Sequence, residues 1–380
     1  MGYYDVLRQR VTLAGERLTL HTKAGVVPWT EVESALMLIA ESVEITPGMK
    51  VLILESGAGA LAVWAARRGA EVHCYDGSLA AVRMTRATLE ANGIDASVYD
   101  AVAPSPGERG TFDLALMPIP KGRAYARTLL GAAARALRIG GKLYLAGPNA
   151  GGAKAIVADA GEVLGRSATV RTKARNRLGV AVRLAHAQGA PLPGESFHEF
   201  QAADLKLFGT PGVFSWDALD AGTAMLLDTL DEALCADRRV LDVGCGVGVI
   251  GMAAARLQAR AVDLVDAAWL AVACTQEGLR ANNLTATCSV WPSDLYADVD
   301  ARAYDLILSN PPFHVGHGVE TGAAEALIAG AYERLAKRGR LRIVANAFLP
   351  YDRLMAEVFG AHNVQTVRED TRYRVLEAVR

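Results

Sequence analysis

The residues best suited to chemistry in this chain lie at 309–313, where the sequence reads Ser-Asn-Pro-Pro-Phe. They follow an apolar run that predicts a strand, so we expect them at the carboxyl edge of a sheet, where α/β folds bind ligands. The side-chain oxygen of Asn310 and the carbonyl of Pro311 can each accept one N–H of an amine. Such contacts would aim the lone pair of a poorly nucleophilic base amine, such as guanine N2, at a methyl donor.

The prolines and the aromatic residue of this segment support the same interpretation. Pro311 and Pro312 stiffen the backbone and remove competing donors, and Phe313 can stack on a base flipped out of its helix. No metal or strong general base is needed, because an activated methyl sulfonium leaves orientation as the main task. A proline-rich turn with an incidental asparagine is the alternative. We predict Asn310, Pro311, Pro312 and Phe313 as the catalytic residues.

A glycine-rich loop lies upstream at 242–248, with the sequence Asp-Val-Gly-Cys-Gly-Val-Gly between a predicted strand and a helix. Its glycines allow a sharp turn and a close approach to a ligand, and the helix N-terminus offers free N–H groups. Asp266 ends the next predicted strand, where a carboxylate can accept hydrogen bonds from ribose hydroxyls. Because Gly246, Gly248 and Gly251 also satisfy the dinucleotide pattern, the loop indicates an adenosine-containing cofactor of either type. A purely structural turn is the alternative.

The elements that must position these residues alternate between apolar strands and amphipathic helices. In the second half, the predicted strands are 239–243, 261–265, 305–309 and 341–345. The predicted helices are 249–257, 269–282 and 325–336. This alternation predicts an α/β fold with a mostly parallel sheet and helices on both faces. Two further strands, 363–368 and 373–379, would add an antiparallel hairpin at its edge.

Four segments of the first half recur in the same order roughly 190 residues later. The pairs are 25–29 with 212–216, 51–59 with 240–248, 89–92 with 279–282, and 112–116 with 304–308. Four ordered matches indicate a duplicated domain. We predict a first domain at 1–186, a Gly/Pro-rich linker at 187–196, and a second, catalytic domain at 197–380.

The first half departs from the pattern at the positions that matter for chemistry. Glu55 stands where the second half has Gly244, and Pro118 stands where it has Asn310. A carboxylate would crowd the space of a cofactor, and proline has no side-chain amide. We therefore predict that this half kept the fold and lost the chemistry, and that it serves RNA binding or structure.

A basic cluster in the first half offers phosphate contacts, consisting of Arg171, Lys173, Arg175 and Arg177. The net charge of the chain is -1, so nucleic acid would have to bind through local patches of this kind. A solvated strand-and-turn face explains the cluster equally well. We predict that these four residues contact RNA.

Composition excludes several other classes of protein. No apolar run is long enough to cross a bilayer, and the N-terminus lacks a signal-peptide core. The chain has 5 cysteines and no C-x-x-C pair, which argues against disulfides and structural zinc and favours a reducing compartment. His314 and His317 have the spacing of a metal pair but lack carboxylate or thiolate partners. We expect a cytoplasmic monomer without metal or membrane association.

The second half resembles the class I methyltransferases with an N-P-P-[FY] motif, and the whole chain resembles the ribosomal RNA guanine-N2 methyltransferases. That family acts on 16S rRNA, with a sister group acting on 23S rRNA. The segments that carry the resemblance are 212–222, 242–246, 310–314 and 343–346. It implies tandem Rossmann-like domains, S-adenosyl-L-methionine as cofactor, and ribosomal RNA or a ribosomal subunit as partner, with 16S favoured.

The resemblance also implies roles for individual residues. The cofactor-binding residues would be Phe214, Asp217, Asp242, Gly244, Cys245, Gly246, Gly248, Asp266, Asp294 and Asn310. Among them, Asp294 would lie near the adenine, and Phe214 and Asp217 would cover the cofactor. Two alternatives remain open: methylation of another amine, such as adenine N6 in DNA or a protein glutamine, and a nonenzymatic RNA-binding role. Hydride transfer with a nicotinamide cofactor is disfavoured, because nothing around Asn310 suits it.

Overall fold

The computed structural model describes residues 2–28, 32–187, 196–300, 303–311 and 319–380, with side chains from 322 onward in the last range. The chain divides into two compact units. The first unit is Tyr4–Ser196, and the second unit is Phe197–Arg380, with which Tyr3 also groups. Of the predicted linker, only the two end residues are described.

The first unit contains a small hairpin, a seven-stranded sheet and five α-helices. Its strands are β1 (Leu7–Leu13), β2 (Glu16–Thr22), β3 (Lys50–Leu54), β4 (Glu71–Tyr75), β5 (Ser97–Tyr99), β6 (Phe112–Pro118), β7 (Leu137–Pro148), β8 (Gly165–Lys173) and β9 (Asn176–Arg183). Its helices are α1 (Ser34–Ser42), α2 (Ala60–Ala66), α3 (Leu79–Ala91), α4 (Arg123–Ala136) and α5 (Ala153–Leu164). The sheet has the order β5-β4-β3-β6-β7-β9-β8, and β1 pairs with β2 outside it.

The second unit repeats this plan. Its strands are β10 (His198–Ala202), β11 (Leu205–Gly209), β12 (Arg239–Val243), β13 (Ala261–Asp266), β14 (Cys288–Pro292), β15 (Tyr304–Ser309), β16 (Leu335–Asn346), β17 (Val364–Glu369) and β18 (Tyr373–Val379). Its helices are α6 (Ala221–Leu227), α7 (Glu232–Cys235), α8 (Val249–Arg256), α9 (Trp269–Ala281), α10 (Val319–Arg334) and α11 (Tyr351–Phe359). The sheet order is β14-β13-β12-β15-β16-β18-β17, with β10 and β11 paired separately.

The identical strand order confirms the predicted duplication and fold class. In each large sheet the first five strands run parallel, and the last two form an antiparallel hairpin against them. Helices cover both faces, which is why the central strands are apolar without alternation. In the second unit Leu241, Ile307 and Ile343 are fully buried in one core on neighbouring strands.

Strand order determines where the functional residues meet. Because β12 lies between β13 and β15, the loop after β12 is flanked by the ends of both neighbours. The Ser309 hydroxyl donates to the Val243 carbonyl at 2.7 Å, which ties the end of β15 to the start of that loop. Asp266, the glycine loop and Asn310 therefore share one sheet edge. No helix in the described part of the chain has the length and apolarity needed to cross a membrane.

Candidate functional site

The glycine loop of the second unit leaves open space on its outer side. Gly244, Gly246 and Gly248 have φ angles of 72°, 57° and 80°, in the left-handed region that favours glycine. A Cβ added to Gly244 or Gly246 would meet no described residue within 4 Å. At Gly248 it would come within 2.7 Å of the Thr275 side chain on α9. The first two glycines thus keep the ligand side clear, and the third allows close packing beneath the loop.

Asp266 organises this loop from the end of β13. Its carboxylate accepts hydrogen bonds from the main-chain N–H of Gly246 at 2.9 Å and of Ala268 at 2.8 Å. Burial raises its pKa, and these N–H groups oppose the rise. Two carboxylate oxygens offer about four acceptor positions, so the group retains capacity for ribose hydroxyls.

Asp242 lies at the start of the glycine loop, and its side chain is buried below that loop. The sequence predicts that it contacts the cofactor, but its side chain is fully buried and accepts from the Gly251 N–H at 2.8 Å. Burial raises the pKa of Asp242 to about 7, with a smaller contribution from the Asp266 charge, while the Gly251 N–H lowers it. Asp242 Oδ2 therefore holds the loop against the start of α8, whereas Oδ1 has no partner among the described residues, and the contact of Asp242 with a cofactor stays a prediction.

Cys245 also points away from the ligand side. Its thiol is buried 3.7 Å from the Thr275 hydroxyl, and its main-chain N–H donates to Val265 at 3.0 Å. Burial raises the pKa of this thiol far above its usual range, so it is not a nucleophile. All five cysteines are buried and free. The described residues contain no group of three metal-ligating side chains, and His314 and His317 lie outside them.

Three further predicted cofactor residues differ in their surroundings. Asp294 follows β14 and is only 4% exposed, and one of its carboxylate oxygens accepts from the Tyr3 hydroxyl at 2.6 Å. Phe214, by contrast, is 57% exposed on the segment before α6, where Asp217 is exposed as well. Within the described residues this segment makes no main-chain hydrogen bond to Val247 in the glycine loop. The segment that contains Phe214 and Asp217 therefore does not cover the glycine loop through such a bond.

The side-chain amide of Asn310 has hydrogen-bond partners for its nitrogen but not for its oxygen among the described residues. Its Nδ2 donates to the Thr223 hydroxyl at 2.7 Å and to Asp220 Oδ2 at 3.2 Å. Its Oδ1 is buried and has no hydrogen-bond partner among the described residues. Pro311 is buried beside it. This oxygen is therefore available to accept an N–H from a substrate.

Pro312 and Phe313, predicted as catalytic, lie outside the described residues. Sequence reasoning missed the contacts that hold Asn310. Asp220 carries a usable signal, because an aspartate directly before an apolar helical run is a typical helix N-cap. That signal gives no indication of its partner across the sheet edge.

The charges around the open loop favour a cationic cofactor. Asp266 and Asp294 place two carboxylates at this edge, and Asp220 adds a third beside Asn310. The sulfonium and ammonium groups of S-adenosylmethionine suit such surroundings, whereas the pyrophosphate of a dinucleotide would be repelled. The open glycines, Asp266 and the free Asn310 oxygen together fit S-adenosylmethionine beside an amine.

In the first unit the equivalent loop is covered. The Val27 carbonyl accepts from the Ala58 N–H at 2.8 Å, and a Cβ on Gly57 would lie 2.1 Å from that carbonyl oxygen. Glu55 keeps a left-handed φ of 57°, and its carboxylate accepts from the Tyr125 hydroxyl at 2.6 Å. Main chain and side chains therefore fill the space that stays open in the second unit. The sequence predicts the crowding by Glu55 but gives no sign of the Val27 cover.

The buried Glu55 carboxylate makes the stability of the first unit depend on pH. Burial and, to a smaller extent, the Asp76 charge raise its pKa from 4.5 to about 7, against the opposing effect of the Tyr125 hydroxyl. Because the folded pKa exceeds the unfolded one, this stabilisation is complete below about pH 4.5 and is lost as the pH rises through about 7. We expect Glu55→Gln to stabilise the first unit at pH 8 by on the order of 1–3 kcal/mol.

Hydrogen exchange resolved by mass spectrometry measures this effect separately for each unit. Protection of β3 and β6 should fall between pH 5 and pH 8 in the wild type, after correction for intrinsic exchange, and should change less in Glu55→Gln. Tyr125→Phe is the matched control, because it removes the hydrogen bond that lowers the Glu55 pKa and should widen the pH dependence. Equal pH dependence in all three proteins would contradict the assignment.

The basic cluster lies on the β8–β9 hairpin, and two of its members share a single carboxylate. Arg171 and Lys173 pair with Glu41 at 3.3 Å and 3.0 Å. Arg177 donates to two side-chain oxygens of its own surroundings. Arg175 is exposed in the turn, and its guanidinium has no ion pair or hydrogen bond within the described part of the chain. Glu41 therefore offsets only one of the four positive charges of the cluster, and Arg175 is the member whose guanidinium is fully uncommitted among the described residues.

Comparison with known proteins gives a consistent result. The model of the methyltransferase small domain family matches residues 17–177 and again 204–377. A ribosomal RNA small subunit methyltransferase C from Chromohalobacter salexigens is 40% identical over 282 residues, covering 73% of this chain and 79% of that protein. The protein of the same name from Yersinia enterocolitica is 33% identical over 292 residues, covering 76% and 81%.

One solved structure matches along the whole length. It is the T. thermophilus 16S rRNA N2 G1207 methyltransferase in complex with AdoMet and guanosine. The TM-score is 0.82 at 32% sequence identity, and the match covers 100% of this chain and 99% of that one.

Proposed function

This chain belongs to the methyltransferase small domain family, together with ribosomal RNA small subunit methyltransferase C, and from that membership we propose its reaction. It is an S-adenosylmethionine-dependent methyltransferase that methylates the exocyclic N2 amine of a guanine in 16S rRNA. The observation that carries this function is the buried, unpartnered Oδ1 of Asn310 beside the open glycine loop. The structurally similar T. thermophilus enzyme was solved in complex with AdoMet and guanosine, which are a methyl donor and a guanine nucleoside of the kind proposed for this edge.

Each part of the edge has a separate task in this reaction. S-adenosylmethionine supplies an activated methyl group when bound. The glycine loop and Asp266 bind the cofactor, and Asp294 is proposed to contact its adenine. Asn310 Oδ1 and the Pro311 carbonyl each accept one N–H of the guanine amine. Together they orient its lone pair, and this preorganised orientation is the main source of rate acceleration.

Mass spectrometry of 16S rRNA tests the substrate. A strain that lacks this protein should lose one N2-methylguanosine from 16S rRNA, and the wild-type gene should restore it. Methylation of both naked 16S rRNA and small subunits in vitro would then identify the preferred partner, which we place in the cytoplasm. Unchanged 16S rRNA, with a methyl group lost instead from DNA adenine or a protein glutamine, would assign the enzyme to another amine substrate.

We further propose that the first unit binds no S-adenosylmethionine and contributes by holding RNA. The Val27 carbonyl over the loop and the Glu55–Tyr125 contact both occupy the space of a cofactor. Pro118, at the position equivalent to Asn310, offers no side-chain acceptor. A stoichiometry of one cofactor per chain is the expected result of calorimetry.

The basic cluster gives a measurable prediction for RNA binding. Changing Arg171, Lys173, Arg175 and Arg177 to alanine should reduce the log–log salt slope of RNA affinity by up to about 0.7–0.9 for each phosphate that the variant no longer neutralises. Glu41→Gln is a control of opposite sign, because it frees two of these cations and should strengthen binding. Cofactor affinity should stay the same in both variants. An unchanged slope in both would leave the first unit a purely structural role.

A further inference from the structure

The first turn of α6 presents two acceptors to a single amide group. Asp220 caps this helix, and its Oδ2 accepts from the Thr223 N–H at 2.9 Å. The same oxygen accepts from Asn310 Nδ2 at 3.2 Å, and the Thr223 hydroxyl accepts from that nitrogen at 2.7 Å. The Thr223 hydroxyl lies 3.5 Å from Asp220 Oδ2, where its proton can point. All three side chains therefore form one closed network.

This network permits only one orientation of the amide. A primary amide has two N–H donors, and the two acceptors on α6 use both of them. Rotating the amide by 180° would place Oδ1 against the Asp220 carboxylate, acceptor against acceptor. It would also turn an NH2 group toward the substrate amine, donor against donor. The orientation with Oδ1 toward the substrate is thus selected by charge as well as by hydrogen bonding.

The carboxylate has a second effect on the Asn310 oxygen. A hydrogen bond from Nδ2 to an anion draws charge through the amide and makes Oδ1 a stronger acceptor. Thr223 is only 7% exposed, so water competes weakly for these contacts. The acceptor is thereby both oriented and strengthened before a substrate arrives.

The position of this turn is fixed by close packing. A Cβ on Gly222 would come within 3.0 Å of Asp220 Oδ2 and within 3.2 Å of the Tyr373 ring. Tyr373 begins β18, which pairs with β16 next to the strand that carries Asn310. The acceptor pair is therefore supported by the sheet itself.

We infer that Asp220 and Thr223 are positioning residues for methyl transfer, which act by orienting and polarising the amide of Asn310. This inference rests on the proposed function, because it requires Asn310 to bind the target amine. Neither residue has to touch the substrate for this role. A role confined to capping α6 is the competing explanation.

A second aspartate of the same unit separates the two explanations. Asp231 caps α7 and accepts from the Leu234 N–H at 2.8 Å, but it has no hydrogen bond to Asn310. Asparagine caps helices about as well as aspartate. If capping alone matters, Asp220→Asn and Asp231→Asn will both behave as the wild type.

The experiment measures methyl transfer by the full chain from labelled S-adenosylmethionine to unmodified 16S rRNA. We expect kcat to fall about tenfold in Thr223→Val, as for the loss of one oriented hydrogen bond. Asp220→Asn keeps the accepting oxygen but removes its charge, and we expect kcat to fall about threefold in this variant. The KM for S-adenosylmethionine and the affinity for S-adenosylhomocysteine should not change. Thr223→Ser should restore kcat to within about twofold of the wild type, because it keeps the hydroxyl, and Asp231→Asn should match the wild type.

A double-mutant cycle shows whether the effect passes through Asn310. In an Asn310→Ala background, Thr223→Val should cause no further loss of kcat, since no amide remains to be oriented. Independent, multiplicative losses would overturn the inference, as would full activity of both Thr223→Val and Asp220→Asn. Full activity of Asn310→Ala itself would instead reject the role of Asn310 in the proposed function. Asp220→Asn, which keeps the cap, provides the answer if Thr223→Val fails to fold.

Discussion

Replacement of Asn310 by alanine is expected to lower kcat for methylation of 16S rRNA by about 100- to 1000-fold, or about 2.7–4 kcal/mol in the barrier. The reason is that Asn310 Oδ1 is buried without a partner among the described residues, on an amide whose nitrogen is held by Asp220 and Thr223. Its removal leaves one N–H of the target amine without an oriented acceptor. Steady-state kinetics with labelled S-adenosylmethionine measure the loss, and calorimetry with S-adenosylhomocysteine should give wild-type affinity.

The duplicated chain supplies a matched control for this variant. Pro118 ends β6 at the position that Asn310 occupies after β15, so Pro118→Ala changes the same place in the first unit. Its kcat should equal that of the wild type. Near-wild-type turnover of Asn310→Ala, in a protein whose thermal unfolding is unchanged, would show that another group binds the amine.

Replacement of Asp266 by alanine is expected to weaken S-adenosylmethionine binding by about ten- to hundredfold, or roughly 1.5–3 kcal/mol. Part of this loss comes from contacts to the ribose hydroxyls. The rest comes from the loop, since Gly246 and Ala268 lose the acceptor of their N–H groups. Asp266→Asn separates the two contributions, because asparagine retains one acceptor oxygen and should give an intermediate affinity.

Asp76→Ala is the corresponding change in the first unit. Asp76 accepts from the N–H groups of Gly57 at 2.9 Å and Ser78 at 2.8 Å, as Asp266 does from their counterparts. We expect its removal to destabilise the first unit and to leave cofactor affinity within about twofold of the wild type. Unchanged affinity in a folded Asp266→Ala protein would mean that the cofactor binds elsewhere.

The sequence predicted the central fold well, because its strands are continuous apolar runs bounded by glycine or charge. The prediction of 239–243 coincides with β12, and that of 269–282 differs from α9 by one residue. The start of β16 was missed by six residues, since it follows α10 with no glycine or proline between them. The hairpin β10–β11 escaped prediction because its first strand is mostly polar.

The site was predictable only where its residues follow strands. The glycine loop, Asp266 and Asn310 all end predicted strands, and parallel pairing brings such ends together. The contact between Asp220 and Asn310 spans 90 positions and joins a helix cap to a strand end, which no local pattern encodes. The cover over the first unit is a main-chain carbonyl, which any residue at position 27 would supply.

Asp76 and Asp266 occupy equivalent positions in the two units, and this equivalence matters for tracing the evolution of such proteins. Asp76 keeps both of its N–H partners under a loop that the Val27 carbonyl covers, so this acid has a structural role in folding that requires no bound cofactor. An aspartate at the end of the second parallel strand therefore indicates common ancestry, and by itself it does not indicate an active enzyme. The two units differ instead in the main chain over the loop, because the Val27 carbonyl covers the loop of the first unit.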